Sequence, residues 1–426
     1  MSETCLLLSS SLLVVVVACG KDNSNFCLGA NPNNNCAEID ADSGCTSSDQ
    51  CAAPIAVCDV TGTKMCVECV ADQASACTGT EPICGDDHAC RGCAAHNECP
   101  ASNTCLPDGS CAATETVAYV DPTGTGNACT KAMPCGTLAL GLAKNLPHVK
   151  ITGTLNEANT TTINRAVTIL AEPGATINVV ADDVPVVSVA TSGADVQVFD
   201  LEITGATQAG GVGIDLPTGG TPKLTLTRVK VDSNQGGGIS SSGGSLTVSQ
   251  STLSGNQGGG ISVSGVGATF DLSNSFVVGN GNADMVAGSE FGGLSLTAGA
   301  GSHRLEFNTI VYNHAKQGTL LAAGVACSVT GFNAPRNIIT SNNEGTTFPA
   351  QTKGSCSYGN SYTQPDSAAN TLQFASLTSN PPDLHLTAAS PGSVTDAAGA
   401  CTGKDIDGEA RPIGGACDLG ADELKP

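Results

Sequence analysis

The sequence predicts an all-β protein: a right-handed parallel β-helix over residues 113–426, preceded by a small disulfide-rich domain. Three observations predict it. Units of the form Leu-x-Leu, then Asn, then Gly-Gly-Gly-Ile recur at intervals of 22 to 24 residues. The apolar residues, mainly Val, Ile, Leu and Ala, come in short runs between Gly, Asn, Ser and Thr, as many short strands separated by turns require. The 22 cysteines are concentrated ahead of that repeating region.

Composition sets the outer limits. Of 426 residues only 13% are charged, 52 are glycine and none is tryptophan. Long amphipathic helices draw on Lys, Arg, Glu and Leu, so few are expected. A mean hydropathy of +0.07 is too apolar for a disordered chain. The formal net charge of -22, with no basic stripe, argues against nucleic acid, whose phosphates need clustered Lys and Arg.

The first element is an apolar run from Leu6 to Ala18, short for a membrane span. Its end, Val16-Val17-Ala18-Cys19-Gly20, resembles a bacterial lipoprotein lipobox. The resemblance implies removal of residues 1–18 and lipidation of Cys19. The protein would then sit at the bacterial outer membrane or cell surface, touching the membrane only through that lipid. Plain secretion is the alternative. Ahead of the run, Met1-Ser2-Glu3-Thr4-Cys5 lacks the Lys or Arg usual in a secretory signal. Residues 19–36, rich in Asn and Gly, read as a tether with too little apolar surface to fold alone.

Residues 37–112 read as a cysteine-rich repeat domain. From Cys45 the spacers run 5, 6, 7 and 2 to Cys69, then 7, 6, 5 and 2 to Cys93, then 5, 5 and 5 to Cys111, an imperfect repeat of about 24 residues. Setting aside Cys5 and Cys19 leaves 22 − 2 = 20 cysteines, an even number, as disulfides outside the cytosol require. Pairing cannot be read from spacing. Cys66-x2-Cys69 and Cys90-x2-Cys93 also have a zinc-like pattern, but they sit inside an unbroken cysteine series. The segment resembles short cysteine-rich repeats near the N-termini of myxobacterial surface proteins.

The β-helix opens near Thr116. A strand and a Gly-rich turn, Ala118 to Asn127, lead to Leu138–Lys144, which reads as a short helix covering the coil end. The rungs follow. Leu224-Thr225-Leu226 runs to Asn234 and Gly236-Gly237-Gly238-Ile239; Leu246-Thr247-Val248 runs to Asn256 and Gly258-Gly259-Gly260-Ile261. Weaker copies end at Asn280, at Asn313 with Ile310 inside, and at Asn342 with Ile338 inside. One coil of a parallel β-helix needs this period. Asn234, Asn256, Asn280, Asn313 and Asn342 are expected to form a structural turn ladder rather than a ligand site. A second polar column is Arg228, Gln250, Asn274, Asn308 and Asn337. Neither a leucine-rich repeat, a β-sandwich nor a calcium-binding nonapeptide roll fits this pattern.

The C-terminus carries Pro382-Asp383-Leu384-His385-Leu386, Ser390-Pro391-Gly392, Asp405-Ile406-Asp407-Gly408-Glu409-Ala410-Arg411-Pro412 and Asp418-Leu419-Gly420-Ala421-Asp422-Glu423. These strings resemble the terminal signature of bacterial right-handed β-helix proteins of the surface-anchored, pectate-lyase-like superfamily. The resemblance implies an architecture and not a chemistry. The ending is expected to close the coil. Cys401 with Cys417, Cys327 with Cys356 and Cys129 with Cys135 are expected to pair. Asp405, Asp407 and Glu409 could converge on calcium, the one cofactor candidate, or form a plain capping turn countered by Arg411.

Enzymes on this fold are expected to use several acids with an Arg or Lys, or paired Asp residues in adjacent coils. Coils 224–342 hold only Asp232, Asp271, Asp284, Glu290 and Glu306, with Arg228, Arg304 and Arg336 scattered among them and His303 and His314 lacking an orienting acid. Asp182-Asp183 falls in a turn. The expectation is a noncatalytic cell-surface module binding a neutral glycan or a surface protein. The alternatives are a polysaccharide lyase or glycoside hydrolase, and a structural stalk or adhesin. The insertion between Asn280 and His303, with Asp284, Glu290 and Phe291, is the candidate binding loop.

Overall fold

The computed structural model describes residues 44–208, 210–284, 287–345, 351–364 and 371–425. They fall into two compact units. One comprises residues up to Ala94 with Pro107–Ser110; the other comprises Ala95–Leu106 and everything from Cys111 onward.

The first unit has almost no apolar core. Two antiparallel hairpins, Val57–Cys58 with Cys66–Val67 and Ile83–Cys84 with Cys90–Arg91, carry the repeat. Bonds Cys45–Cys58 and Cys51–Cys66 interleave around the first, and Cys69–Cys84 with Cys77–Cys90 around the second. Each group of four therefore pairs first with third and second with fourth, which spacing alone left open. The sulfurs lie close enough to suggest metal sites. They are close because they are bonded, and every cysteine among the described residues is disulfide-bonded.

The second unit is a parallel β-helix with three eight-stranded sheets. Sheet 1 runs from Val117–Val120 to Arg304–Glu306, sheet 2 from Thr154–Glu157 to Ile338–Thr340, and sheet 3 from Thr161–Ile163 to Thr352–Gly354. Adjacent strands pair in parallel with matched columns, such as Leu224, Leu246 and Phe270 in sheet 1. Inward Val, Ile and Leu stack into one continuous core, since a single coil cannot bury its own face. The short helix Leu138–Leu142 starts at Thr137, whose side chain accepts from Leu140 N–H. Gly141 lies so close to Val120 that a Cβ there would sit 2.6 Å from Cγ2, so the helix packs directly on the first coil.

Between sheets 2 and 3 each of five successive turns begins with a left-handed residue, Ser233, Gly255, Gly279, Tyr312 and Ser341. The next residue is the inward asparagine: Asn234, Asn256, Asn280, Asn313 and Asn342, all fully buried. Each Oδ1 accepts the backbone N–H of the rung before it. Asn280 Oδ1 takes Asn256 N–H at 3.2 Å and Nδ2 at 2.8 Å, and Gln351 ends the series at Asn342.

The second polar column needs a correction. The left-handed residues between sheets 1 and 2 are Asp200, Arg228, Gln250, Asn274, Phe307 and Arg336, and they stand outward. Asn308 and Asn337 are one place later, inward, in register with Val229, Ser251 and Ser275. Two different positions of the turn had been aligned as one. The same one-residue slip applies to Ile338: Ile310 pairs with Ile339 in the core, while Ile338 faces out.

The chain ending does not plug the coil. It lies over the outer face of sheet 2, where Leu384, Leu386, Val394 and Leu419 pack on Phe276, Val278, Val311 and Ile338. Those outward side chains are apolar and had to be covered. At the opposite end, within the same unit, Ala95–Leu106 covers the outer face of sheet 1: Tyr119 Oη donates to Ser102 O at 2.6 Å.

Candidate functional site

The acids that looked scattered in the sequence meet in three places, because stacking brings residues about one coil apart to adjacent strands.

The first set lies on sheet 2. Glu202 pairs with Lys230 across the strands, and Asp232 lies two residues on. Lys230 Nζ is 2.9 Å from Glu202 Oε1 and 3.5 Å from Asp232 Oδ2. Burial, opposed by Lys230, pushes Asp232 above its ordinary carboxyl range. Burial also works against ionised Glu202, yet hydrogen bonds from Lys230 and Asp232 hold it low. Lys230 itself is raised, its burial outweighed by the two acids.

The second set lies on sheet 1 at the rim of an open groove of about 260 Å3. Outward turn residues Gln250, Asn274 and Phe307 form one wall, with Ser249 and Arg304; Thr402, Gly403, Lys404 and Arg411 of the chain ending form the other. Arg304 reaches Glu306 Oε2 at 3.1 Å and Asp271 Oδ1 at 3.7 Å. Arg336 holds the other oxygen of Glu306. Burial pushes the Asp271 carboxyl up, Arg304 pulls it down and Glu306 pushes it up again. Two carboxylates thus share one guanidinium beside a groove walled by amides, hydroxyls and cations. Arg411 sits beneath, buried against Glu423 at 2.7 Å and over the Phe307 ring.

The third set, in the chain ending, gathers Asp383, His385, Asp407 and Asp422. Burial pushes Asp422 up to about 6, and Leu386 N–H donates to its Oδ2. The calcium trio does not assemble here. Asp405 is fully buried and spends its carboxylate on the N–H groups of Asp407, Glu409 and Glu423. Glu409 turns to Lys425, and Asp407 turns to His385. The string is a capping turn, as alternate acids on a tight hairpin turn point apart.

The remaining candidates are placed as follows. Cys129–Cys135, Cys327–Cys356 and Cys401–Cys417 are bonded. Cys19 lies outside the described residues. In the insertion after Asn280, Asp284 Oδ1 accepts from Ala287 N–H, Glu290 pairs with Lys316, and Phe291 lies against Gly259 of the preceding coil. Leu294 and Leu296 are not loop residues: they point inward from a sheet 3 strand, Leu294–Ala298, which their alternation allowed. His303 stacks on the core ring of Phe270 at 4.5 Å, His314 meets Asn343, and Arg228 forks onto Asp200. Asp182 accepts from Thr207 and Asp183 from Gly210 N–H.

Glu202 is missed in the sequence because it lies in neither place where acids stand out, coils 224–342 and the Asp182-Asp183 pair. The signal was there: Glu202, Lys230 and Thr252 occupy one column.

No family model matches the sequence, and no curated protein matches it. Among solved structures the chain is similar to pectate lyase Pel9A, at 15% identity and a TM-score of 0.42, over 72% of this chain and 96% of that one. The parallel β-helix of this chain rests on its own strand pairing, and a disulfide-rich region precedes it in the sequence. Among the described residues no helix is long and apolar enough to cross a membrane.

Proposed function

We propose that the protein is a carbohydrate-active β-helix protein of the lyase or hydrolase type, which takes a polysaccharide chain along the groove beside Arg304. One observation carries this reading: Asp271 and Glu306, distant in sequence, share Arg304 at the groove rim. Asp271, with its carboxyl raised by burial, is suited to hold a proton for a leaving oxygen. Glu306 is gripped by Arg304 and Arg336, which fix its carboxylate at the groove rim. Gln250, Asn274, Ser249 and Thr402 would hydrogen-bond sugar hydroxyls.

A second reading is binding without cleavage. It is favoured by the tethering of Arg336, which donates to the carbonyls of Ala398 and Ala400 as well as to Glu306, as a purely structural ion network would. Aromatic residues make up only 3% of the chain, so ring stacking on sugars would be sparse and each contact weak. Neutral glycans suit a chain of net charge -22 better than acidic polymers, and a surface protein is the other candidate partner.

A glycan array followed by reducing-end and unsaturated-product assays separates these readings. Product formation that falls about 100-fold or more in both D271N and E306Q supports the enzyme. Binding with no product moves the protein to the second reading, and no glycan binding at all leaves a stalk or adhesin. Anchoring through a lipid on Cys19 is part of the same proposal. Mass spectrometry of the mature N-terminal peptide tests it, and an unmodified N-terminus at another residue would reject it.

A further inference from the structure

We propose that His385, Asp407 and Asp422 form a binding site for a divalent transition metal of the zinc type. One ligand atom from each lies within 4.8 Å of the others. Two features separate this set from an ordinary group of surface acids.

The first is how the imidazole is held. Asp383 takes His385 Nδ1, and the same carboxylate accepts His385 N–H at 3.2 Å. The ring edge rests on Phe276 with centroids 5.3 Å apart. Nε2 is thereby turned toward Asp407 Oδ2, at 3.2 Å. It is shut off from solvent and makes no hydrogen bond. A carboxylate fixing one imidazole nitrogen while the other faces further ligands is the outer-shell arrangement found around metal-bound histidines.

The second is Asp422. It is only 5% exposed, and its one hydrogen bond among the described residues is from Leu386 N–H to Oδ2, at 2.6 Å. A buried carboxylate with so little compensation is costly, and a dication would offset it. Asp407 is half exposed, so the set stays open on one side to an incoming ion and to water.

The chemistry of the donors selects the ion. One imidazole nitrogen with two carboxylates suits zinc and its neighbours, leaving a fourth position for water. Calcium would take an all-oxygen shell of six to eight ligands. The three ligands come from three separate strings of the chain ending, so the metal would clip those strings together over sheet 2.

The test uses the full chain with disulfides intact, stripped with chelator and titrated with Zn2+, with Co2+ as a spectroscopic probe and Ca2+ as control. The expected result is one equivalent of Zn2+, Co2+ absorption typical of nitrogen and oxygen ligands, and a raised unfolding midpoint. H385A should abolish binding. D407N changes an exposed residue and should fold, and it should weaken binding at least about 10-fold; D383N should weaken it about 10–100-fold. Absence of stoichiometric Zn2+, affinity unchanged in D407N, preference for Ca2+, or a cobalt–thiolate spectrum would each overturn the assignment.

Discussion

The two units hold their backbones in place by different means. In the first, the buried apolar side chains among the described residues are Val57, Val70 and cysteines. Loops of 13 and 15 residues are tied by interleaved bonds, and little else resists unfolding. In the second, each coil supplies the missing face of the next, and the Asn ladder satisfies turn amides that no sheet could reach. Cys129–Cys135 and Cys327–Cys356 add to the ends of the stacked core, and Cys401–Cys417 lies in the chain ending. A low-complexity composition can therefore specify order in two ways: by cross-linking the unfolded chain, or by repetition that makes every local choice agree with its neighbours.

Reduction should separate the two means most sharply. Each of the four short loops contributes about 3 kcal/mol in the chain-entropy view. Losing all of them should leave residues 45–90 unfolded under native conditions, while the β-sheet signal of the second unit persists. Limited proteolysis with mass mapping, run beside far-ultraviolet circular dichroism, reads both. Loss of the sheet signal in step with the hairpins would contradict the division.

The ladder gives the next largest effect. Asn280 accepts from Asn256 N–H and Nδ2 and donates to Leu253 O and Asn313 Oδ1. N280A strands several fully buried groups, at about 1–3 kcal/mol for each unsatisfied one. The denaturant midpoint should drop by the equivalent of about 3–5 kcal/mol. S262A, on the outer face of sheet 3, should stay within about 0.5 kcal/mol of the parent. Equal midpoints for the two would mean that the asparagines are replaceable filler.

These residues also mark how far the sequence could be read. The 22-residue step and Asn234, Asn256 and Asn280 made the stacking legible, because one turn conformation repeats and demands the same side chain each time. Where the turn residue varied, register slipped by one: Asn308 was matched to Asn274, although Phe307 is its true counterpart. Phe276-Val277-Val278 was a readable sign of a strand buried on both faces, which an uncovered coil does not need. The groove was beyond reach. It depends on the chain ending folding back beside Gln250, whose side chain donates to Asp405 O across 155 positions of sequence. Asp271 and Glu306 look unrelated until stacked strands place Arg304 between them.

The smallest expected effect lies where both means operate together. Ala95–Leu106 comes from the last cysteine repeat, with Cys99 bonded to Cys111, yet it belongs to the β-helix unit and covers Lys150. The Lys150 side chain is 1% exposed, with Glu172 at 3.0 Å as its ion-pair partner. Burial lowers it to about 8, against the pull of Glu172 and Asp200; His96 also faces it. Between about pH 8 and the unfolded value of 10.5 the unfolded chain holds a proton that the folded one does not, so stability from this group rises with pH across that window. Below about pH 8 the cost of the buried charge is fully present, about 3 kcal/mol at most. K150M removes that cost and keeps most of the volume, while Glu172 retains Asn103 Nδ2 as a hydrogen-bond donor. The variant should be about 1–3 kcal/mol more stable than the parent at pH 7, and the advantage should shrink toward zero near pH 10. Thermal melts at a series of pH values measure it. A variant less stable at pH 7, with no trend toward pH 10, would mean that the Lys150–Glu172 pair itself fastens the covering segment to sheet 1.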